Sequence, residues 1–485
     1  MKTVFRKLRS DPSVKAYQFF GCFLLFFMFS LRAYPAGLRY SPTKKTDISE
    51  EIRRQLNKGN LWLNYPVSAK RFYDERNYLE QWITPDNQEK TWKAMLMLDC
   101  VLQFGLSYSD YHFSDHLPSA LHDILERPDQ VTLAQKARFE IMLTDDMITF
   151  VNQLHFGVLN PSFAQGVIDS TYTGFRSEVI LANAMKQEKF MAALTAVQPK
   201  SRVYERLQEY LSSSVRYLDN CYQLPEGELQ NVAMNMERLR WAAIEEKSYI
   251  LVNIPSYTLK YYHADNVDEF KVTVGRPETP TPSLQSKIES FTTGPDRKVP
   301  RDIFIKQILP NAVSNIKYLE DNHYTIYNQS GEYVNADRQT LASLKHNPSG
   351  YYARQSAGCD NGSGSIVFSF HNLYEISMHD TPDKSLFHPT ERALGQGGIS
   401  VENAVGLAAL MLKNDDAAAK VKDMQEADAL YSKQTFILKR AIPFKIVYLT
   451  CDVLNEKLVT YNDIYNLDKS LQLVMFPPDR PISMR

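Results

Sequence analysis

The spacing of apolar residues divides this chain in two. From about Thr46 to Leu211 they recur three and four apart, as in helices with one buried face. Trp92, Met95, Met97, Leu98, Val101 and Leu102 make one such stripe and predict a helix over 92–106. Phe139, Met142, Leu143, Met147, Phe150, Val151 and Leu154 make a second, over 134–154, and Asn160-Pro161 ends it. Segments 179–194 and 203–211 continue the pattern. Near residue 235 the period changes. Asn235 to Trp241 still reads as helix, but Tyr249 to Pro255 is a short β-branched run closed by proline, which predicts a strand. Similar runs predict strands at 258–262, 269–274, 286–291, 365–370, 373–378 and 444–451. Residues 212–231 between the halves suffice for a linker and the start of a helix, and are too few for an inserted module.

The first residues carry a different signal. Lys2, Arg6, Lys7, Arg9 and Lys15 precede an apolar run from Phe19 to Leu31. At about 13 residues that run suits the core of a signal peptide and falls short of the ~20 that span a bilayer. Residues 1–36 are therefore expected to be a signal peptide, with Ala33 and Ala36 as cleavage points, or an N-terminal anchor. Membrane contact is expected only through this segment. The apolar run continues past Cys22, which argues against lipidation there.

Composition narrows the field little. With 485 residues the chain has room for two or three domains of roughly 100–200 residues each. Its net charge of -1 gives no reason to expect a nucleic-acid partner. The five cysteines, Cys22, Cys100, Cys221, Cys359 and Cys451, show no finger spacing, and the pairings of the last four stay open. His371, His379 and His388 match no ligand spacing. No metal and no cofactor are expected.

One stretch carries chemistry. Met378-His379-Asp380-Thr381-Pro382 is followed by Leu394-Gly395-Gln396-Gly397-Gly398-Ile399-Ser400-Val401. It resembles the active-site segment of L,D-transpeptidases of the YkuD type, which cross-link peptidoglycan: His-Asp-Thr-Pro, a spacer, then Ser-x-Gly-Cys-Ile/Val-Arg-Val. Other marks are similar to the large, YcbB-like subgroup with a scaffold domain. These are Leu143-Thr144-Asp145, His155 to Pro161, Pro199 with Tyr204, Leu207 and Tyr210, Asn235 to Trp241, Arg354-Gln355 with Asn361, and Tyr461 to Tyr465. The resemblance implies an α+β multidomain fold. A helical scaffold domain over 37–230 would precede a β-rich transpeptidase-like domain over 231–485. A capping subdomain at about 301–353 would act as a lid.

The likeness fails where the reaction happens. A cysteine transpeptidase needs a thiolate, a base beside it and N–H donors for the oxyanion. By resemblance His379 is the base and Gly397 belongs to the oxyanion turn, but Gly398 stands at the nucleophile and Ser400 at the arginine. Ser377 and Arg297 replace aromatics of the pattern. Asp380, Thr381, Arg392 and Ser400 are expected to contact a ligand. Loss of a nucleophile costs such enzymes about a millionfold in rate. The expectation is a degenerate transpeptidase of the periplasm or inner membrane that binds peptidoglycan stem peptides or an envelope protein. The alternatives are an active transpeptidase or carboxypeptidase with a displaced nucleophile, Cys359, and a purely structural protein.

Overall fold

The structure is a computed structural model that describes residues 46–59, 61–112, 117–170, 174–218 and 222–477. The expected leader, Cys22 and Cys221 lie outside the described residues. The chain divides into two compact units, one up to residue 198 with 208–229, the other formed by 199–207 and 230 onward.

The first unit is helical and centred on Leu133–Phe156. Thr132 starts this helix with a reciprocal capping box to Gln135, and Gly157 at φ 85° ends it. From Ala137 nearly every side chain is buried, including Glu140, Thr144, Asp145 and Asp146. Helices Thr46–Lys58, Pro66–Asp74, Gln88–Asp99, Leu117–Glu126 and Ser177–Ala184 surround it. Two sequence readings are corrected here. The helix expected over 92–106 stops at Asp99 and gives way to a 3-10 turn, Val101–Phe104, ended by Gly105 at φ 65°. Trp92, assigned to the buried stripe, is 44% exposed while its neighbour Thr91 is buried. The segment 179–194 is two short helices, Ser177–Ala184 and Phe190–Thr195.

The second unit is β-rich. Among its described residues one sheet runs β10-β3-β11-β9-β8-β4-β12-β1-β2. Its strands are β1 (Tyr249–Asn253), β2 (Thr258–His263), β3 (Asn266–Gly275), β4 (Leu284–Thr293), β8 (Ile366–Phe370), β9 (Met378–His379), β10 (Ala393–Gly395), β11 (Ile399–Val401) and β12 (Gln434–Val447). β1 is buried along its whole length and lies between parallel β12 and antiparallel β2. Helix Ala404–Asn414 adds Leu407, Ala408, Met411 and Leu412 to the core that the sheet builds with Ile250, Val252, Phe291 and Phe444.

The strand expected over 373–378 is also corrected, since only Met378 and His379 pair. The Asn372 side chain accepts from Tyr374 N and Ile376 N and donates to Ile376 O. The backbone groups a strand would offer its neighbour are thus satisfied locally.

Residues 297–355 form a small body within this unit. β5 (Arg297–Lys298), β6 (Tyr324–Asn328) and β7 (Tyr351–Gln355) make a sheet in the order β5-β7-β6. Val299, Phe304, Ile308, Leu309, Ile326, Leu341, Leu344 and Ala353 give it a core of its own.

Candidate functional site

β9 and β11 are the shortest strands at the middle of the large sheet, and they bring His379 and the glycine turn together. They run parallel, with Met378 opposite Ile399 and His379 opposite Ser400. β8 pairs with β9 on its other side, placing Val367 opposite His379. β3 pairs with β11 and places Thr273 opposite Ser400. His379 is therefore fixed by a sheet on both flanks, while Gly397 and Gly398 sit on the turn that feeds β11.

The ring of His379 has a defined role in this frame. Nδ1 lies 2.5 Å from the carbonyl oxygen of Asp380, so Nδ1–H donates and Nε2 carries the lone pair. Nε2 faces Gly398: a β-carbon on Gly398 would lie 3.7 Å from it. Burial lowers the pKa of the ring. The Asp380 carbonyl raises it, the positive charge of Arg297 lowers it, and the Asp380 carboxylate raises it. The net shift is downward, which favours a neutral base.

The turn is shaped by contacts that the sequence did not single out. Gly397 has φ 94°, a conformation that glycine adopts without strain. Thr281 Oγ1 donates to Gly397 O at 2.9 Å and accepts from Gly275 N at 2.8 Å. The Tyr465 hydroxyl donates to Gly275 O at 2.6 Å and accepts from Thr281 N at 3.1 Å. A β-carbon on Gly275 would come within 2.1 Å of Thr279 O, so only glycine fits there. The Tyr461 to Tyr465 segment was visible as a motif, but its meeting with Thr281 at Gly275 depends on the fold. Among the described residues no acceptor pairs with the Gly397 or Gly398 N–H. Such a pair of donors suits an oxyanion or a carbonyl oxygen.

The other expected site residues have protein partners. Asp380 is buried; its Oδ2 accepts from Ser365 N and Oγ, and Lys384 Nζ lies 2.5 Å from Oδ1. Gly364 at φ 62° allows this close approach, since a β-carbon there would lie 2.4 Å from Asp380 Oδ2. Thr381 is buried, and its hydroxyl accepts from Asp383 N. Arg392 is buried, with its donors taken by the carbonyls of Val272, Pro389, Thr390 and Tyr257. The sequence grouped Asp380, Thr381 and Arg392 with ligand contacts; in the structure they brace the walls of the site. Ser400 is half-buried beside His379.

Cys359 is an exposed free thiol on the loop between β7 and β8, and it makes no hydrogen bond to His379. Cys451 is also a free thiol, and no disulfide joins the described cysteines to one another. Cys451 is buried and accepts from Asn235 Nδ2.

His371 and His388 are exposed and share no cluster with His379. The described residues do bring His112, Asp145 and Asp146 together in the first unit. There both ring nitrogens of His112 are hydrogen-bonded, Nδ1 to Asp146 at 2.7 Å and Nε2 to Trp62 O at 2.7 Å. A ring that donates on both sides has no lone pair for a metal.

Comparison with known proteins agrees with this division. Residues 68–211 match the model of a scaffold domain, and residues 247–421 match that of the L,D-transpeptidase catalytic domain. The chain thus carries a helical scaffold domain followed by a β-rich L,D-transpeptidase catalytic domain. It is 31% identical over 247 residues to a Haemophilus influenzae protein named "Putative L,D-transpeptidase". That match covers 50% of this chain and 49% of the relative, so the chain spans about half the length of the curated protein it matches.

Proposed function

We propose that this protein binds peptidoglycan stem peptides in the cell envelope without cross-linking them. One observation carries this reading: the Nε2 lone pair of His379 faces Gly398, which supplies no side-chain nucleophile. Around that gap the parts that would hold an acyl group remain, namely the neutral base, the unpaired N–H groups of Gly397 and Gly398, and a turn clamped by Thr281 and Tyr465. Base and donors alone can orient a peptide carbonyl, but no atom at position 398 can take its acyl group. The small body at 297–355 is the proposed cap, tied to the loop after β7 by Gln355, whose Nε2 donates to Asn322 O and Asp360 O. Export to the periplasm or attachment to the inner membrane belongs to the same proposal, because stem peptides lie there. Among the described residues no helix is long and apolar enough to cross a membrane.

Intact-protein mass after incubation with a carbapenem tests the reading, since that β-lactam acylates the active cysteine of such enzymes. The expected result is an unchanged mass, with saturable binding of a stem peptide by calorimetry. An adduct on Cys359 would overturn the reading in favour of a displaced nucleophile. No adduct and no peptide binding would leave a structural protein.

A further inference from the structure

Arg297 sits where the family pattern has an aromatic, and by sequence it reads as one more loss. The structure gives it a different character. β5 pairs with β7, placing Arg297 opposite Gln355. From there the guanidinium reaches Gly362: a β-carbon on Gly362 would lie 1.9 Å from Nη1, so the arginine fills the space a side chain at 362 would need. Two residues on, Gly364 packs against Asp380, the residue after His379, and the positive charge of Arg297 is one of the influences that lower the imidazole pKa.

The buried arginines of this unit have acceptors, whereas Arg297 is half-buried. Arg238 meets Asp468 at 2.6 Å, Arg240 meets Glu237 and the Tyr204 hydroxyl, and Arg392 has four carbonyls. Among the described residues no hydrogen bond or ion pair reaches the guanidinium of Arg297. The carboxylates in this part of the chain pair with other side chains, although Oδ1 of Asp360 is left without a hydrogen bond. Asp296 pairs with Lys433 at 2.8 Å, Asp360 with His323 at 3.1 Å, and Asp380 with Lys384. A half-buried guanidinium with no protein acceptor keeps its donors available for an arriving anion.

We propose that Arg297 is a carboxylate-binding group of the cleft, holding a free carboxylate of the bound peptide by a forked pair of N–H···O bonds beside His379. This rests on the stem-peptide reading for the identity of the peptide, but not for the carboxylate chemistry. The guanidinium geometry suits two carboxylate oxygens. The absence of a side chain at Gly362 gives the guanidinium the space it occupies.

The test compares a stem peptide with its fully amidated form by calorimetry, and N-acetylglycine with its amide by NMR, on the wild type and on Arg297→Gln. The wild type is expected to bind each free acid at least about tenfold more tightly than its amide, the usual scale for losing a charge-assisted bond. Arg297→Gln is expected to abolish that preference. Its melting temperature should stay the same or rise, because no partner is lost, whereas a structural arginine would lower it. Arg297→Lys should restore part of the preference, since it keeps the charge without the fork. If stem peptide binds equally well as acid and amide, or if Arg297→Gln keeps the acid preference, the Arg297 proposal falls and the stem-peptide reading stands. If N-acetylglycine binds through Arg297 and no stem peptide binds, the carboxylate site stands and the stem-peptide reading falls. Binding of neither probe overturns both.

Discussion

His112 in the helical unit and His379 in the β-rich unit are both enclosed by polar groups, yet those groups do opposite things. His112 donates from both nitrogens, to Asp146 and to the Trp62 carbonyl. Burial opposes its charge, but Asp146, Asp145 and the carbonyl outweigh that and hold its pKa at about 9. It is an imidazolium locked into structure. His379 donates once, to a backbone carbonyl, and keeps a lone pair aimed at Gly398. The same contrast runs through their surroundings. Glu140 accepts from Gln81 N, Trp82 N, Ile83 N and the Tyr73 hydroxyl, and Asp145 from Asn64 N and Tyr65 N. Near His379 the N–H groups of Gly397 and Gly398 and the guanidinium of Arg297 lack acceptors among the described residues. Backbone donors engage Glu140 and Asp145 in the helical unit, whereas in the other the turn before β11 keeps its donors open.

The sharpest way to break this comparison is to fill the gap. Gly398→Cys places a thiol beside Nε2, with the new β-carbon 3.2 Å from Ser377 O, so that carbonyl must yield by a few tenths of an ångström. The thiolate would attack the β-lactam carbonyl, the ring C–N bond would open, and His379 would pass the thiol proton to the ring nitrogen. Carbapenem adduct formation is expected to go from undetectable to stoichiometric by mass spectrometry. An adduct-free Gly398→Cys protein with a native circular dichroism spectrum would show that the base and turn no longer serve catalysis.

On the structural side, Glu140→Ala leaves three backbone N–H groups without their acceptor, that of Trp82 buried and those of Gln81 and Ile83 part-buried. The expected cost is roughly 3–5 kcal/mol, read from urea unfolding. A loss under about 1 kcal/mol would mean that water replaces the carboxylate.

His112 predicts a pH dependence. Its folded pKa of about 9 lies above the value of about 6.5 expected when unfolded. Its contribution is complete below pH 6.5 and is lost as pH rises to about 9, an effect on the order of 3 kcal/mol. His112→Asn should flatten that part of the stability profile. An equally steep profile in the variant would assign the effect to another group.

The smallest effect concerns His379. Its folded pKa is depressed, so its contribution to stability is present above about pH 6.5 and fades as pH falls toward the folded value. Arg297→Gln removes one of the two lowering influences, and the His379 titration followed by NMR should move upward. An unmoved titration would place Arg297 outside electrostatic reach of the ring.

Sequence alone determined the two-part architecture, because helical and strand periods are local properties of the chain. The positions of Leu143, Phe150 and Val252 in the two cores followed from that period. It also pointed to His379 and the glycine turn, since their motif is contiguous. Tertiary structure decided which polar groups were already engaged. Asp380 and Arg392 look like ligand contacts in the sequence, but Ser365, Lys384 and distant carbonyls occupy them. Arg297 looks like a loss, yet it stands unpaired beside His379 because β5 pairs with β7 and Gly362 makes room. Hydrogen-bond satisfaction depends on partners far along the chain, and no local pattern records it.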